Sequence, residues 1–204
     1  MAHRTAARVA RLEETVKGSR FLAFVRPLAC PEEFEGWLAG LRDEHGDASH
    51  HCWAYRFGAD MRFSDDGEPG GTAGRPMLEV LLKRDLDRLG VVVVRYFGGT
   101  KLGAGGLVRA YGGAVAKALD EAGEKLVEDV ESLEVHVPFA LVDALHRLLA
   151  QTRQARTTAE QFDGSGWRVR LEVPATEAAD FRARLADLTR GAATVGTALE
   201  EGSG

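Results

Sequence analysis

Residues 95–109 read RYFGGTKLGAGGLVR, placing Arg95, Lys101 and Arg109 among Gly98, Gly99, Gly103, Gly105 and Gly106, with no carboxylate in the stretch. Glycines at this density allow tight turns or the close approach of another backbone or a ligand. Amide N–H groups at the start of a following helix, together with Lys101 and Arg109, form a cradle for an anion. Two common phosphate-binding patterns are missing. Lys101 precedes most of the glycines and is followed by Leu102, so GxxxxGK[ST] fails, and Gly103, Gly105 and Gly106 have the wrong intervals for GxGxxG. A nucleotide hydrolase is therefore disfavoured. The same glycines also suit plain close packing of a strand against a helix.

A second polar group lies upstream, in SHHCWAYRFG and SDDGEPGGTAGRP. On a strand, His50, Cys52 and Ala54 share one face and His51, Trp53 and Tyr55 the other. Two such ligands with Asp65 or Asp66 nearby could bind a metal. No further His or Cys cluster completes the set, so no metal and no cofactor is assigned, and histidines satisfied in or beside a core are preferred. Asp65, Asp66 and Glu68 suit acid–base chemistry or Mg²⁺ binding. Aspartates also cap turns through backbone N–H groups, the role favoured for at least one of them.

The elements that must position these residues follow from periodicity. Val91–Val94 is a continuous β-branched run, suited to a strand covered on both faces. After the glycines, Ala104, Leu107 or Val108, Tyr111, Val115 and Ala118 form a core-facing helical stripe, and Gly105, Arg109, Gly112, Gly113 and Ala116 leave the other side bare. Upstream, residues 8–16 and 19–25 pair around Lys17-Gly18-Ser19 as a hairpin. Pro31 opens a helix carrying Phe34, Trp37, Leu38 and Leu41, and Pro76 starts a short one that ends near Arg84. An acidic crossing from Asp120 to Glu134 leads into new structure, with the boundary placed near Glu131, giving domains 1–130 and 131–204. The second reads strand 133–137, helix 140–149, strands 155–162 and 167–173 joined by Asp163-Gly164-Ser165-Gly166, a helix through Ala179 and Leu188, a strand 192–199 and a loose tail 200–204. This βαββαβ order is that of a ferredoxin-like unit, and the fold class is α+β.

Composition sets the limits. The chain has 204 residues, a formal net charge of -5, 45% hydrophobic and 28% charged residues, and no apolar run approaching a membrane span. No secretory h-region is visible near the amino terminus, and Cys30 and Cys52 form neither a CxxC pair nor a disulfide framework, so a reducing, cytoplasmic setting is expected. Mild acidity argues against a wholesale nucleic-acid coat while leaving room for a local basic patch.

Four stretches taken together, Lys17–Phe21, Ser49–Tyr55, Asp65–Pro76 and Arg95–Tyr111, resemble the YigZ/IMPACT family over about residues 16–119. The resemblance implies an amino-terminal α/β sandwich like the second domain of ribosomal protein S-five and a ferredoxin-like second domain as in translation factors. It also implies action near the ribosome or RNA, with a translation-related protein as a further partner. On this reading Arg20, Arg75, Arg95, Lys101 and Arg109 make a basic patch over the glycine-rich face, and Tyr55, Tyr96 or Tyr111 stack on bases. The competing reading is an enzyme on a small phosphorylated substrate, with His51 as acid or base and Asp66 and Glu68 positioning a metal or proton. A binder is preferred because no nucleophile–base pair or full ligand set is visible.

Overall fold

The computed structural model of the chain describes residues 2–197. Contacts divide it into a first unit, His3–Val127, and a second beginning at Glu128. No helix among the described residues is long and apolar enough to cross a membrane.

In the first unit a five-stranded antiparallel sheet is built from β2 (Ala10–Val16), β3 (Ser19–Pro27), β4 (His50–Phe57), β5 (Asp60–Ser64) and β6 (Leu89–Tyr96), in the order β2-β3-β6-β4-β5. The central strand β6 is buried on both sides. Val91 and Val93 face one core with Phe21, Ala23, Cys52 and Ala54, whereas Val92 and Val94 face another with Leu22, Phe24 and Tyr55. Helices α2 (Gly74–Lys83) and α3 (Ala104–Ala122) cover the first face, and α1 (Glu32–Glu44) covers the second. The tyrosine-bearing stripe of α3 packs inward as its periodicity requires: Leu107, Tyr111, Val115 and Ala118 are buried, whereas Val108 stays exposed. Helix α2 begins at Gly74, two residues before the expected Pro76.

Three short strands escape sequence reading. β1 (Ala2–Ala6) pairs with β7 (Glu124–Glu128) in a separate two-stranded sheet, and the charged EKLVE of β7 sits inside the expected acidic crossing. β5, with the sequence DMRFS, has no clean alternation and is also missed.

The second unit comprises β8 (Val130–Pro138), a 3-10 turn at Phe139–Leu141, α4 (Val142–Gln151), β9 (Arg156–Phe162), β10 (Gly166–Pro174), α5 (Ala178–Thr189) and β11 (Thr194–Thr197). The sheet order β11-β8-β10-β9 with antiparallel pairing is the expected ferredoxin-like arrangement. Alternate residues of β8 and β10 (Leu133, Val135, Val137; Trp167, Val169, Leu171, Val173) meet Leu145, Leu148, Phe181 and Leu185 of the helices in one apolar core. The expected tail 200–204 and the end of the last strand lie outside the described residues.

Candidate functional site

The glycine loop is held by the β2–β3 turn. Lys17 (φ 48°) and Gly18 (φ 82°) form a two-residue connection with both residues left-handed, the geometry that matches strand twist in a hairpin. Gly98 lies so close to it that an added Cβ would be 2.0 Å from the Gly18 carbonyl. Its N–H donates to Ser19 Oγ at 3.1 Å, and the Phe97 N–H donates to Ser49 Oγ at 3.1 Å. The run that follows is thus clamped at one end.

Gly103 (φ 74°) then turns the chain into α3. Its N-cap glycine has no side chain to cap it and its first turn has no acid, so the positive end of its dipole is uncompensated by its own residues. Lys101 and Arg109 are exposed beside it. Along the bare side of α3 runs a groove of about 270 Å³, lined by Gly106, Arg109, Gly113 and Lys117 of the helix and Glu14 and Lys17 of the hairpin. Lys117 is bound to Glu14, leaving Lys17 and Arg109 without an ion-pair partner among the described residues. Lys17 and Lys117 were not part of the sequence-derived set; their approach to Arg109 depends on α3 lying over β2.

Arg95 requires a correction. It sits on the central strand and is 4% exposed, and its Nη1 lies 2.5 Å from Glu68 Oε1. Nη2 donates to Ser19 Oγ at 3.2 Å, and the guanidinium is 5.3 and 5.5 Å from the ring centres of Phe21 and Phe97. Its charge is neutralised internally, so it is not a surface contact for phosphate. Tyr111 Oη donates to the same Glu68 oxygen at 2.7 Å, and His50 Nε2 approaches it to 3.8 Å. Tyr111 is fully buried and Tyr55 nearly so, its hydroxyl donating to Asp60 at 2.8 Å, so neither ring offers a face for base stacking. Arg20 and Arg75 are exposed, but Arg20 binds Glu13 at 2.8 Å over the Tyr96 ring, and Arg75 lies 3.5 Å from Glu79 one turn further along α2.

The loop carboxylates do not converge. Asp65 Oδ1 accepts N–H groups from Ala73 (2.9 Å) and Gly74 (2.8 Å), and Oδ2 accepts one from Gly71 (2.7 Å). It therefore caps α2 from outside the helix, the turn-capping role foreseen for one aspartate. Asp66 Oδ2 accepts the His51 N–H at 2.6 Å, and its Oδ1 lies 3.4 Å from Arg42. Glu68 belongs to Arg95 and Tyr111. Among the described residues no three His, Cys, Asp or Glu side chains are grouped to hold a metal. The pairing of Asp66 and Glu68 as metal- or proton-positioning groups is not formed.

Protonation follows from burial. Desolvation lowers the His51 imidazole below its usual range, opposed by Asp66 4.0 Å away. Burial pushes the Cys52 thiol up to about 12 and raises the Tyr111 phenol as well. Neither is a nucleophile near neutral pH. Ser19 was not singled out from sequence, because its partners Arg95 and Gly98 lie far along the chain; only the Lys17-Gly18-Ser19 turn signal marks it.

The Impact N-terminal domain family matches residues 17–119, and the elongation factor G C-terminus family matches residues 125–201. A Thermus thermophilus protein described as an IMPACT family member in the pol 5' region is 44% identical over 176 residues, covering 86% of this chain and 96% of its own. The IMPACT family member YigZ of Escherichia coli (strain K12) is 36% identical over 193 residues, 92% of this chain and 93% of that one. A solved structure titled as that of a hypothetical protein superposes with a TM-score of 0.70 at 34% identity over 98% of both chains.

Proposed function

The chain belongs to the IMPACT family, and on that premise we propose that it is a non-enzymatic RNA- or ribosome-associated protein linked to the regulation of translation. The observation that carries this reading is the groove on the bare side of α3, where Lys17 and Arg109 have no ion-pair partner among the described residues, beside an uncapped helix start and Lys101. Small residues along α3 let a sugar–phosphate backbone approach, and the cations neutralise its charge. Arg20 and Arg75 contribute less, because each already holds a carboxylate. Of the groups an acid–base mechanism would draw on, His51 and Asp66 lie beside one another, but Glu68 is held apart by Arg95 and Tyr111, so the three do not form one constellation, which weighs against the enzymatic alternative.

The test is co-sedimentation with ribosomes and with RNA at two salt concentrations, comparing the wild type with Lys101→Glu/Arg109→Glu after circular dichroism shows the variant folded. Each lost phosphate contact removes about 0.9 from the logarithmic salt slope on duplex and about 0.7 on a single strand, so the double variant loses roughly 1.4 to 1.8. Absence of wild-type binding at low salt sinks the proposal.

A further inference from the structure

The two edges of the first unit's sheet are finished differently. β2 shows the solvent Arg11, Glu13 and Thr15 at alternate positions, the charged finish that discourages further pairing. β5 has no partner on its outer side among the described residues. Its two charges are spent on one another, Arg62 Nε lying 3.1 Å from Asp60. On one face it exposes Met61 and Phe63, at 45% and 44%.

Its other face borders an open groove of about 750 Å³ between α1 and β4–β5. Phe34, Trp53 and Tyr55 line it as a cluster of rings, with Trp53 and Tyr55 stacked at 11° and 6.2 Å. Carboxylates of α1 add Glu32, Glu35 and Asp43 to its wall. Arg42 is directed to Asp66 and Arg62 to Asp60, so these three have no ion-pair partner among the described residues. The edge therefore combines free backbone groups, an apolar strip on one face, and an acidic, aromatic-lined trough on the other.

We propose that the β5 edge takes up an extended basic segment of a protein partner as an added strand, with Lys or Arg side chains entering the α1 groove and apolar side chains covering Met61 and Phe63. Strand side chains alternate between faces, so a partner with basic and apolar residues at alternate positions satisfies both sides at once. Backbone hydrogen bonds supply register, and the carboxylates supply selectivity for positive charge. A second copy of this chain is disfavoured, because symmetric pairing through β5 would bring two acidic grooves together. This surface is independent of the α3 groove.

The full chain is titrated with a synthetic eight-residue peptide alternating Lys and Val, and with its Glu–Val counterpart, while β5 amide exchange is followed by NMR. The Lys peptide is expected to bind and protect β5 amides, and the Glu peptide to leave them unchanged. Glu35→Lys/Asp43→Lys is expected to weaken the Lys peptide about tenfold. Phe63→Lys, which leaves the groove charges intact, is expected to weaken it through the apolar face. Binding indifferent to both variants, protection of β2 instead of β5, or a concentration-dependent dimer abolished by Phe63→Lys would overturn the proposal. Loss of RNA binding in Lys101→Glu/Arg109→Glu with peptide binding retained keeps the two surfaces distinct.

Discussion

Among the described residues of the second unit the buried polar side chains are Thr152 and Thr189, and each hydroxyl donates back to its own helix, at the Leu148 carbonyl (2.9 Å) and the Leu185 carbonyl (2.7 Å), the Thr189 oxygen also accepting the Ala193 N–H four residues on at 3.3 Å. The first unit instead buries an ion pair, with Arg95 of β6 and Glu68 of the polar loop joined by Ser19 of β3 and Tyr111 of α3. A hydroxyl bonded within its own helix adds nothing to how elements sit together. The Glu68 centre ties two strands, a loop and a helix, and it lies at the base of the clamped glycine run. A buried pair of this kind is costly to desolvate, so its role is read as fixing the position of those elements.

The contrast breaks most visibly at Glu68. Glu68→Ala leaves the Arg95 cation buried without its partner and is expected to cost about 3–5 kcal/mol by urea unfolding. Glu68→Ala/Arg95→Met should recover much of that loss. A double variant no more stable than the single one would mean that the centre does more than compensate its own charge.

Gly98→Ala comes next, at about 1–3 kcal/mol, because its Cβ meets the Gly18 backbone at 2.0 Å. Gly105→Ala on the bare side of α3 meets only Arg109 Nη1 at 3.6 Å and should gain up to about 1 kcal/mol. Melting both variants side by side separates the clamped glycine from the open one.

The first unit should also carry a pH dependence that His51 imposes. Burial depresses its folded-state value below the unfolded 6.5. Below 6.5 the unfolded chain accepts a proton that the folded chain refuses, so stability falls as the pH drops from 6.5 toward the depressed value. Unfolding free energies measured across that window should flatten in His51→Phe; an unchanged slope would assign the effect to another group.

The smallest effect is expected in the second unit. Arg182 and Glu131 form a two-pronged ion pair, one contact at 3.1 Å, with both side chains 34% exposed. Arg182→Ala should cost under about 1 kcal/mol, and less in high salt. A loss as large as that of Glu68→Ala would erase the distinction between the two interiors.

Legibility in the sequence tracks the range of the interactions. Short-range signals carry the β2–β3 hairpin, the buried Val91–Val94 strand, the α3 stripe and the βαββαβ order. The strands β1, β5 and β7 are short and mixed in pattern, and only their partners define them. Of the residues expected to bind an anion, Lys101 and Arg109 are exposed as local pattern puts them, whereas Gly98 packs against the Gly18 backbone with its N–H on Ser19 Oγ. Arg95 departs from its local pattern, because a charged residue at a strand end reads as exposed until a carboxylate from a distant loop is brought against it. The same holds for Glu68, whose local context is a polar turn but whose partners lie on β6 and α3.

The order β2-β3-β6-β4-β5 has a consequence for a chain still being made. Its middle strand is the last of the five to be synthesised, so β3 and β4 emerge with the gap between them unfilled. Until residue 96 has left the exit tunnel, Phe21, Val25, Cys52 and Ala54 lack the valines that later cover them, and until Tyr111 follows, the Glu68 centre lacks its last donor. Nascent chains grow at about 5–20 residues per second, so the first unit passes through several seconds as an incomplete sheet and closes only when β6 threads between two waiting partners.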